Sequence, residues 1–281
     1  MIDSALVCSL VKEQFPQWKD LLIYPVASQG WDNRTFHLGE KMLIRMPSDG
    51  EYALQVEKEQ FWLPKLAAHL PLSIPRPLAM GMPSEGYPWK WSIYEWIEGV
   101  SASSAYIKSL SECAKSLALF LGALQKIETK GGPLPGPHSF YRGGDLKVYE
   151  AEMHSCLSSL KDKVDVEMIK VIWDKALSTK WTKKPVWVHG DLSPGNLLIR
   201  DGVLSSVIDF GQLTVGDPAC DLMIAWTLFK EESRDVFREI LSLDEDTWIR
   251  GMAWALWKFS LVKDVKILSE VLEDSRRWNG S

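Results

Sequence analysis

A chain of 281 residues that is 46% hydrophobic can bury a sizeable core, as one large domain or two small ones. Its formal net charge of -5, with no Lys/Arg-rich run, argues against a nucleic-acid partner. The four cysteines, Cys8, Cys113, Cys156 and Cys220, lie far apart without a C-x-x-C pair, as expected of reduced thiols in a cytoplasmic protein rather than a disulfide framework. The first residues carry acids early, unlike a secretory signal, and no run approaches the ~20 apolar residues of a membrane span.

Residues 2–15 alternate apolar and polar positions at helical spacing, and Pro16 stops them. The runs "LLIYPVA", "NRTFHLG" and "KMLIRMP" then read as strands of an antiparallel meander, punctuated by Gly30 and the Gly39-Glu40-Lys41 turn. Residues 55–69 read as a helix with Val56, Phe61, Leu63, Leu66 and Ala67 apolar, and Pro71, Pro75 and Pro77 break the segment after it. "WSIYEWIEG" is another strand, ending at Gly99, and residues 109–127 form a long amphipathic helix. Residues 130–145 hold the richest Gly/Pro stretch and read as loop. Helices are expected near 149–161 and 166–177, short strands at "VWVHG", "NLLIR" and "LSSVIDF", and helix from Asp217 onward. The chain is therefore strand-rich for its first hundred residues and helix-rich after, which suggests two lobes joined just after "YEWIEG", with a ligand cleft between them. The 14 tryptophans read chiefly as packing.

The segment "VHGDLSPGNLLI" places a His, an Asp and an Asn between two apolar runs. Gly190 and Gly195 have the spacing of a Walker phosphate loop, but Asn196 stands where the phosphate-gripping lysine belongs. A two-metal phosphoesterase centre needs several His and Asp ligands from separate loops, and the five histidines show no such pairing. A kinase catalytic loop fits better. There an Asp takes the proton of the attacking hydroxyl and an Asn five positions later binds magnesium. A second magnesium-binding Asp opens a D-F-G beyond the next strand pair. Asp191, Asn196 and Asp209-Phe210-Gly211 meet all three conditions.

With "HGDLSPGN", "IDFG" and "GDPACDL" in place, the chain resembles the aminoglycoside phosphotransferase family, relatives of choline kinases, over nearly its whole length. "ASQGWDNRTFHLG", "LIRMP" and "VEKEQFWLPKLA" resemble that family's N-terminal lobe, and "SIYEWIEG" its hinge. The resemblance implies an α+β, two-lobed protein-kinase-like fold: a small antiparallel-sheet lobe over residues 1–97 and a mainly helical lobe over 98–281. It implies Asp191 as catalytic base, Asn196 and Asp209 as Mg2+ ligands, and His189 as support for the loop. The turn Gly30-Trp31-Asp32-Asn33 would cover the nucleotide phosphates. Arg45 would stand in for the strand lysine, paired with Glu59 in preference to Glu57. Tyr94 would back the base pocket, with the Glu95 carbonyl and Ile97 N–H on the base edge, and ATP or GTP as co-substrate. Asp221 would tie the catalytic loop to the helix below, and Asp217 would cap that helix or face the acceptor.

The step of eight positions from Asp209 to Asp217 is too short for a peptide-docking activation segment, and Gly190 replaces the arginine that a phosphorylated loop would contact. Both favour a small hydroxylated acceptor over a protein. The acids Glu231, Glu232, Asp235, Asp244, Glu245 and Asp246, with Trp226, Trp248, Trp254 and Trp257, would suit an aminoglycoside-like cation or line an ordinary helical bundle; His138 and Arg142 border the same cleft. Choline-, homoserine- or methylthioribose-type alcohols and macrolides are alternative acceptors that similar folds phosphorylate. A pseudokinase would lack Asp191, Asn196 or Asp209, and all three are present. No membrane partner is expected, and a monomer or homodimer suits this architecture.

Overall fold

A computed structural model describes residues 2–27, 30 and 32–279; Ser28, Gln29 and Trp31 of the expected phosphate-covering turn lie outside them. Helix α1 (Ser4–Gln14) begins where the Asp3 carboxylate accepts the Leu6 N–H, and it buries Val7, Leu10 and Val11. Next in the chain are strands β1 (Ile23–Pro25), β2 (Asn33–Leu38) and β3 (Met42–Pro47), then helix α2 (Gly50–Ala67), β4 (Pro77–Gly81) and β5 (Trp91–Glu95). The five strands form one antiparallel sheet in the order β1-β2-β3-β5-β4. Its alternating residues Phe36, Leu38, Ile44, Met46, Trp91 and Ile93 pack with the apolar stripe of α1 into one core.

Two boundaries differ from the sequence expectation. Helix α2 starts at residue 50, because the Asp49 side chain caps it by accepting the Glu51 N–H. Strand β4 is not expected among the prolines, but Pro77 is its first residue, a position that needs no ladder donor.

Beyond the sheet come β6 (Val100–Ser101), α3 (Leu110–Lys126), α4 (Glu150–Leu157), α5 (Val166–Leu177), β7 (Val186–Val188), β8 (Leu197–Arg200), β9 (Val203–Val207) and β10 (Thr214–Gly216). Helices α6 (Ile224–Thr227), α7 (Glu231–Leu241), α8 (Glu245–Leu261) and α9 (Val265–Asn279) complete the chain. Strands β6, β8 and β9 form one small antiparallel sheet, and β7 pairs with β10. β6 and β10 are too short to show a period in sequence, and only their partners make them strands. The large core draws on α3, α5 and α8 and is filled by Trp173, Trp187, Trp248 and Trp254. Trp226 and Trp257 are also buried, so the four tryptophans considered as an acceptor wall are packing residues. The four cysteines are unpaired, and among the described residues no helix is long and apolar enough to cross a membrane.

Candidate active site

The segment that carries the expected catalytic Asp191 leaves β7 as His189-Gly190-Asp191 and rejoins the fold at β8 through a short helical turn, Pro194–Asn196. The fully buried Asp221 holds it from below: its carboxylate accepts the His189 N–H at 2.8 Å and the Gly190 N–H at 2.7 Å. That is the tie expected of Asp221. Burial pushes the Asp221 carboxyl upward, and the two N–H donors work against the shift. Gly190 has φ +88, and a Cβ there would meet the Gln212 carbonyl oxygen at 2.6 Å, so the segment needs glycine at this point. The His189 Nδ1 accepts the Asp191 N–H at 3.2 Å, which leaves Nε2 to donate to the Ile208 carbonyl at 3.0 Å. His189 is thus a buried brace that joins the catalytic segment to the residue before Asp209.

Asn196 closes the same turn. Its side-chain nitrogen donates to the Asp191 carbonyl at 2.9 Å, so its amide oxygen is the remaining side-chain polar atom. Its own carbonyl accepts the Ile208 N–H at 2.9 Å. Just past β9, Asp209 sits in the left-handed region at φ +66, an uncommon conformation for a residue with a side chain. Arg45 on β3 donates to Asp209 Oδ1 at 2.8 Å and to Glu59 Oε1 on α2 at 3.2 Å. Burial opposes the guanidinium charge, but Asp209 and Glu59 outweigh it and keep Arg45 protonated. The same pairing takes the Asp209 carboxyl below its ordinary range against the effect of burial. Glu57 instead meets Lys90 on the surface, so Glu59 is the buried partner.

Tyr94 is buried beside the Arg45–Glu59 pair. It is 1% exposed, and its hydroxyl donates to Glu59 Oε2 at 2.7 Å. It forms the wall behind the Arg45–Glu59 pair, because β5 directs position 94 into the core shared with α2. Glu95 ends β5 and gives its N–H to the Arg76 carbonyl; Ile97 comes where the chain leaves the sheet.

The turn expected to cover the phosphates is described in part. Gly30 is exposed, its carbonyl accepts from Arg34, and a Cβ there would meet nothing within 4 Å. Asn33 is buried at the start of β2. The Asp32 carbonyl accepts both the N–H and the hydroxyl of Ser48. Burial, and then the charges of Asp209 and Asp191, lift the Asp32 carboxyl to about 6.

Asp217 caps the short helix after it, one of the two roles expected of it. Its carboxylate accepts the Ala219 N–H at 3.0 Å as a helix cap and the Arg250 Nε at 2.6 Å. The ~330 Å³ cavity that it lines holds Arg250, Thr179 and Trp181 but neither Asp191 nor Asp209. His138 and Arg142 have other tasks. Lys58 of α2 contacts the His138 Nδ1 at 2.9 Å and donates to the Gly211 carbonyl at 2.7 Å, joining helix, D-F-G and the 130–145 loop. Arg142 is buried over the rings of Trp254 and Trp257.

Lys258 of α8 is a site residue that sequence reasoning misses, and its Nζ lies 2.6 Å from Asp191 Oδ1. Sixty-seven positions separate the two residues, and "ALWKFS" has no local feature that marks the lysine.

Magnesium asks for hard oxygen donors and keeps places for water and substrate phosphate. Asp209 would supply a carboxylate and Asn196 an amide oxygen, from segments joined by the bond of the Ile208 N–H to the Asn196 carbonyl, which suits that need. Among the described residues no cluster of three or more His, Cys, Asp or Glu could hold a metal, so phosphate and water would complete the shell.

The phosphotransferase enzyme family model matches residues 24–254, which include every element of this site up to Arg250. The chain belongs to the phosphotransferase enzyme family. Among proteins similar to this family member is YcbJ of Bacillus subtilis (strain 168), described as uncharacterized, 24% identical over 179 residues. That match covers 60% of this chain and 54% of YcbJ, so the chain spans about half the length of the curated relative it matches. Solved phosphotransferase structures share the fold. One is the GDP and kanamycin complex of APH(2")-IIIa, with a TM-score of 0.71 at 18% identity over 97% of this chain and 99% of that one. Another is ADP-bound APH(2'')-Ib, at 0.63 and 20% over 96% and 97%. A third is macrolide 2'-phosphotransferase type I, at 0.63 and 18% over 97% and 96%. The α+β, kinase-like fold expected of this phosphotransferase family member is thereby shown.

Proposed function

We propose that the chain is a small-molecule kinase that transfers the γ-phosphoryl group of ATP, and also of GTP, to a hydroxyl. The observation that carries this reading is the Arg45 guanidinium, joined at once to Glu59 of the sheet-bearing lobe and to Asp209 of the D-F-G. Such a cation, fixed between two carboxylates, would keep its charge and its remaining N–H groups for phosphate. In this reading residues 1–97 and 98–281 are the two lobes, with the Glu95 carbonyl and Ile97 N–H meeting the base edge.

The acceptor oxygen attacks the γ-phosphorus, the bond to the β–γ bridging oxygen breaks, and the hydroxyl proton passes to Asp191. Asn196 and Asp209 would hold the magnesium ion, which offsets charge on the phosphates when bound. Asp221 and His189 hold the loop so that the base need not reorganise. Asp191, Asn196 and Asp209 are all present and mutually braced, which favours catalysis over a pseudokinase. Nucleotides bound to the fold neighbours support the co-substrate, and the kanamycin complex supports a small acceptor. Four unpaired thiols support a reducing compartment such as the cytoplasm.

The test is nucleotide turnover with Mg2+ against a panel of hydroxylated amines, sugars, acids and macrolides. An acceptor that stimulates turnover is expected, and Asp191→Asn should lower the rate by ~10²–10⁴ with little change in nucleotide affinity. Turnover that Asp191→Asn leaves near the parent rate would remove Asp191 from the chemistry.

A further inference from the structure

The backbone of Asp191 is held on both sides: its N–H donates to His189 Nδ1 at 3.2 Å, and its carbonyl accepts from the Asn196 side chain at 2.9 Å. The carboxylate is held differently. Among the described residues its one hydrogen-bond partner is Lys258 of α8, with Nζ 2.6 Å from Oδ1. Neighbouring carboxylates have more. Asp221 accepts two backbone N–H groups, and Asp217 accepts one together with Arg250. The loop that carries Asp191 thus fixes where the side chain starts, and only α8 fixes where it ends.

The surroundings make that single contact consequential. The charge of Asp191 acts to raise the carboxyls of Asp32 and Asp221, so the three anions repel one another. A rotatable carboxylate among anions turns toward solvent unless a cation draws it to a fixed point. The lysine that does so starts from a rigid place. Trp257, the residue before it, is buried with its ring centroid 3.9 Å from that of Tyr149, and its indole N–H donates to Glu152 Oε2 at 2.7 Å. Trp254, one turn earlier, is buried against the same two rings. The Lys258 and Asp191 side chains are partly exposed, and ion pairs of that kind add little to stability. What the pair supplies is direction.

We propose that Lys258 positions the Asp191 carboxylate for the transfer: the ammonium takes Oδ1 and so presents Oδ2 to the acceptor hydroxyl. This rests on the kinase reading and deepens it, since Lys258 acts through the base it touches. In the step, the hydroxyl O–H breaks toward Oδ2 while the new bond to the γ-phosphorus forms and the bond to the β–γ bridging oxygen breaks; Lys258 keeps its protons throughout. The paired charges of Lys258 and Asp191 cancel, so the contact sets geometry and places no bar on a cationic acceptor. A base held in one direction matters because a misplacement of about 1 Å costs ~10²-fold in rate.

The experiment is a double-mutant cycle on the full chain with Mg-ATP, read as kcat with kanamycin as acceptor and, in parallel, with water alone. Lys258→Met keeps the apolar stem and removes the ammonium. It should lower kcat by about 10–10²-fold while the KM for ATP stays within threefold of the parent, and Lys258→Arg should recover most of the loss. Mg-ATP affinity by calorimetry checks the folding of each variant, and Lys258→Gln gives the same readings should Lys258→Met not fold. In the Asp191→Asn background, Lys258→Met should change kcat less than twofold, because a residue that acts through Asp191 has nothing left to position. The proposal is overturned if Lys258→Met keeps kcat within threefold of the parent, if its cost is the same with and without Asp191, or if the Met and Arg variants are equally slow. A crystal structure of Lys258→Met reads the contact without turnover. The Asp191 carboxylate should leave its place while His189 and Asn196 keep theirs, and an unmoved carboxylate overturns the proposal as well. Failure of the kinase reading shows separately, as turnover indifferent to Asp191→Asn.

Discussion

At the scale of single residues, Asp209 carries the most constraint. Its φ of +66 costs about 1–3 kcal/mol for a side-chain-bearing residue and persists because Arg45 holds the carboxylate. Asp209→Ala should therefore weaken Mg-dependent nucleotide binding more than metal-free binding, measured by titration with and without Mg2+. Equal losses in the two titrations would assign it to structure alone. Tyr94 sits one layer deeper. Its hydroxyl gives Glu59 Oε2 a donor in a buried place. Tyr94→Phe should cost about 1 kcal/mol of stability, the range for one lost hydrogen bond, since Arg45 also donates to that oxygen at 3.5 Å. It should leave the ATP:GTP ratio of kcat/KM within threefold. A larger change in that ratio would show that Tyr94 takes part in base choice. The Arg45–Glu59 pair is readable because the helical register sets residues 57 and 59 on different faces, whereas the Tyr94 hydroxyl has a partner that only packing decides.

At the scale of elements, α8 does three things along its length. Its first turns supply Arg250, which grips Asp217 and donates to the Thr247 hydroxyl; its middle fills the core; its end brings Lys258 to Asp191. Asp244 starts it, accepting the N–H and hydroxyl of Thr247 at 2.9 and 2.6 Å. Burial works against its charge, but the Thr247 bonds and Lys183 prevail and take the carboxyl down to about 2. A depressed carboxyl stabilises the fold above its unfolded value near 4, and that contribution disappears as pH falls from about 4 to about 2. Because Asp244 is well exposed, Asp244→Ala should cost only about 1 kcal/mol at pH 7. In urea unfolding the difference from the parent should narrow by pH 3. An undiminished difference there would mean that the cap's charge contributes nothing. The helix itself is evident from its apolar spacing, while its cap residue reads as an acceptor-facing acid because a run of acids looks alike in either role.

At the scale of the whole molecule, the two lobes meet through charge. Lys58 of α2 reaches the D-F-G glycine, and Arg45 reaches its aspartate. Asp32, across the cleft, lies near enough to Asp209 and Asp191 to be raised to about 6, burial being the larger cause. A raised carboxyl lowers stability as pH climbs from about 4 to about 6, since the folded state holds a proton that the unfolded chain releases. Asp32→Asn, which has no charge to lose, should be about 1–2 kcal/mol more stable than the parent at pH 7 with Mg2+ chelated, after discount for partial exposure. It should show no advantage at pH 4. Thermal melts at the two pH values check this, and an equal advantage at both would exclude the charge as its source.

The sequence by itself determined what is local. Asp191 and Asn196 lie five positions apart in one turn, Asp209 ends the next hairpin, and helix and strand periods arise from side-chain direction along each element. The tertiary structure alone decided what depends on distant pairings. It turned Asp217 inward to Arg250, sank Tyr94 and Trp226, Trp248, Trp254 and Trp257 into the core, made a strand of residues 77–81 and set Lys258 against Asp191. The reason is physical: a loop motif carries its own geometry in its spacing. A contact across 33 or 67 positions exists only after the whole core has packed and fixed which helix ends face one another.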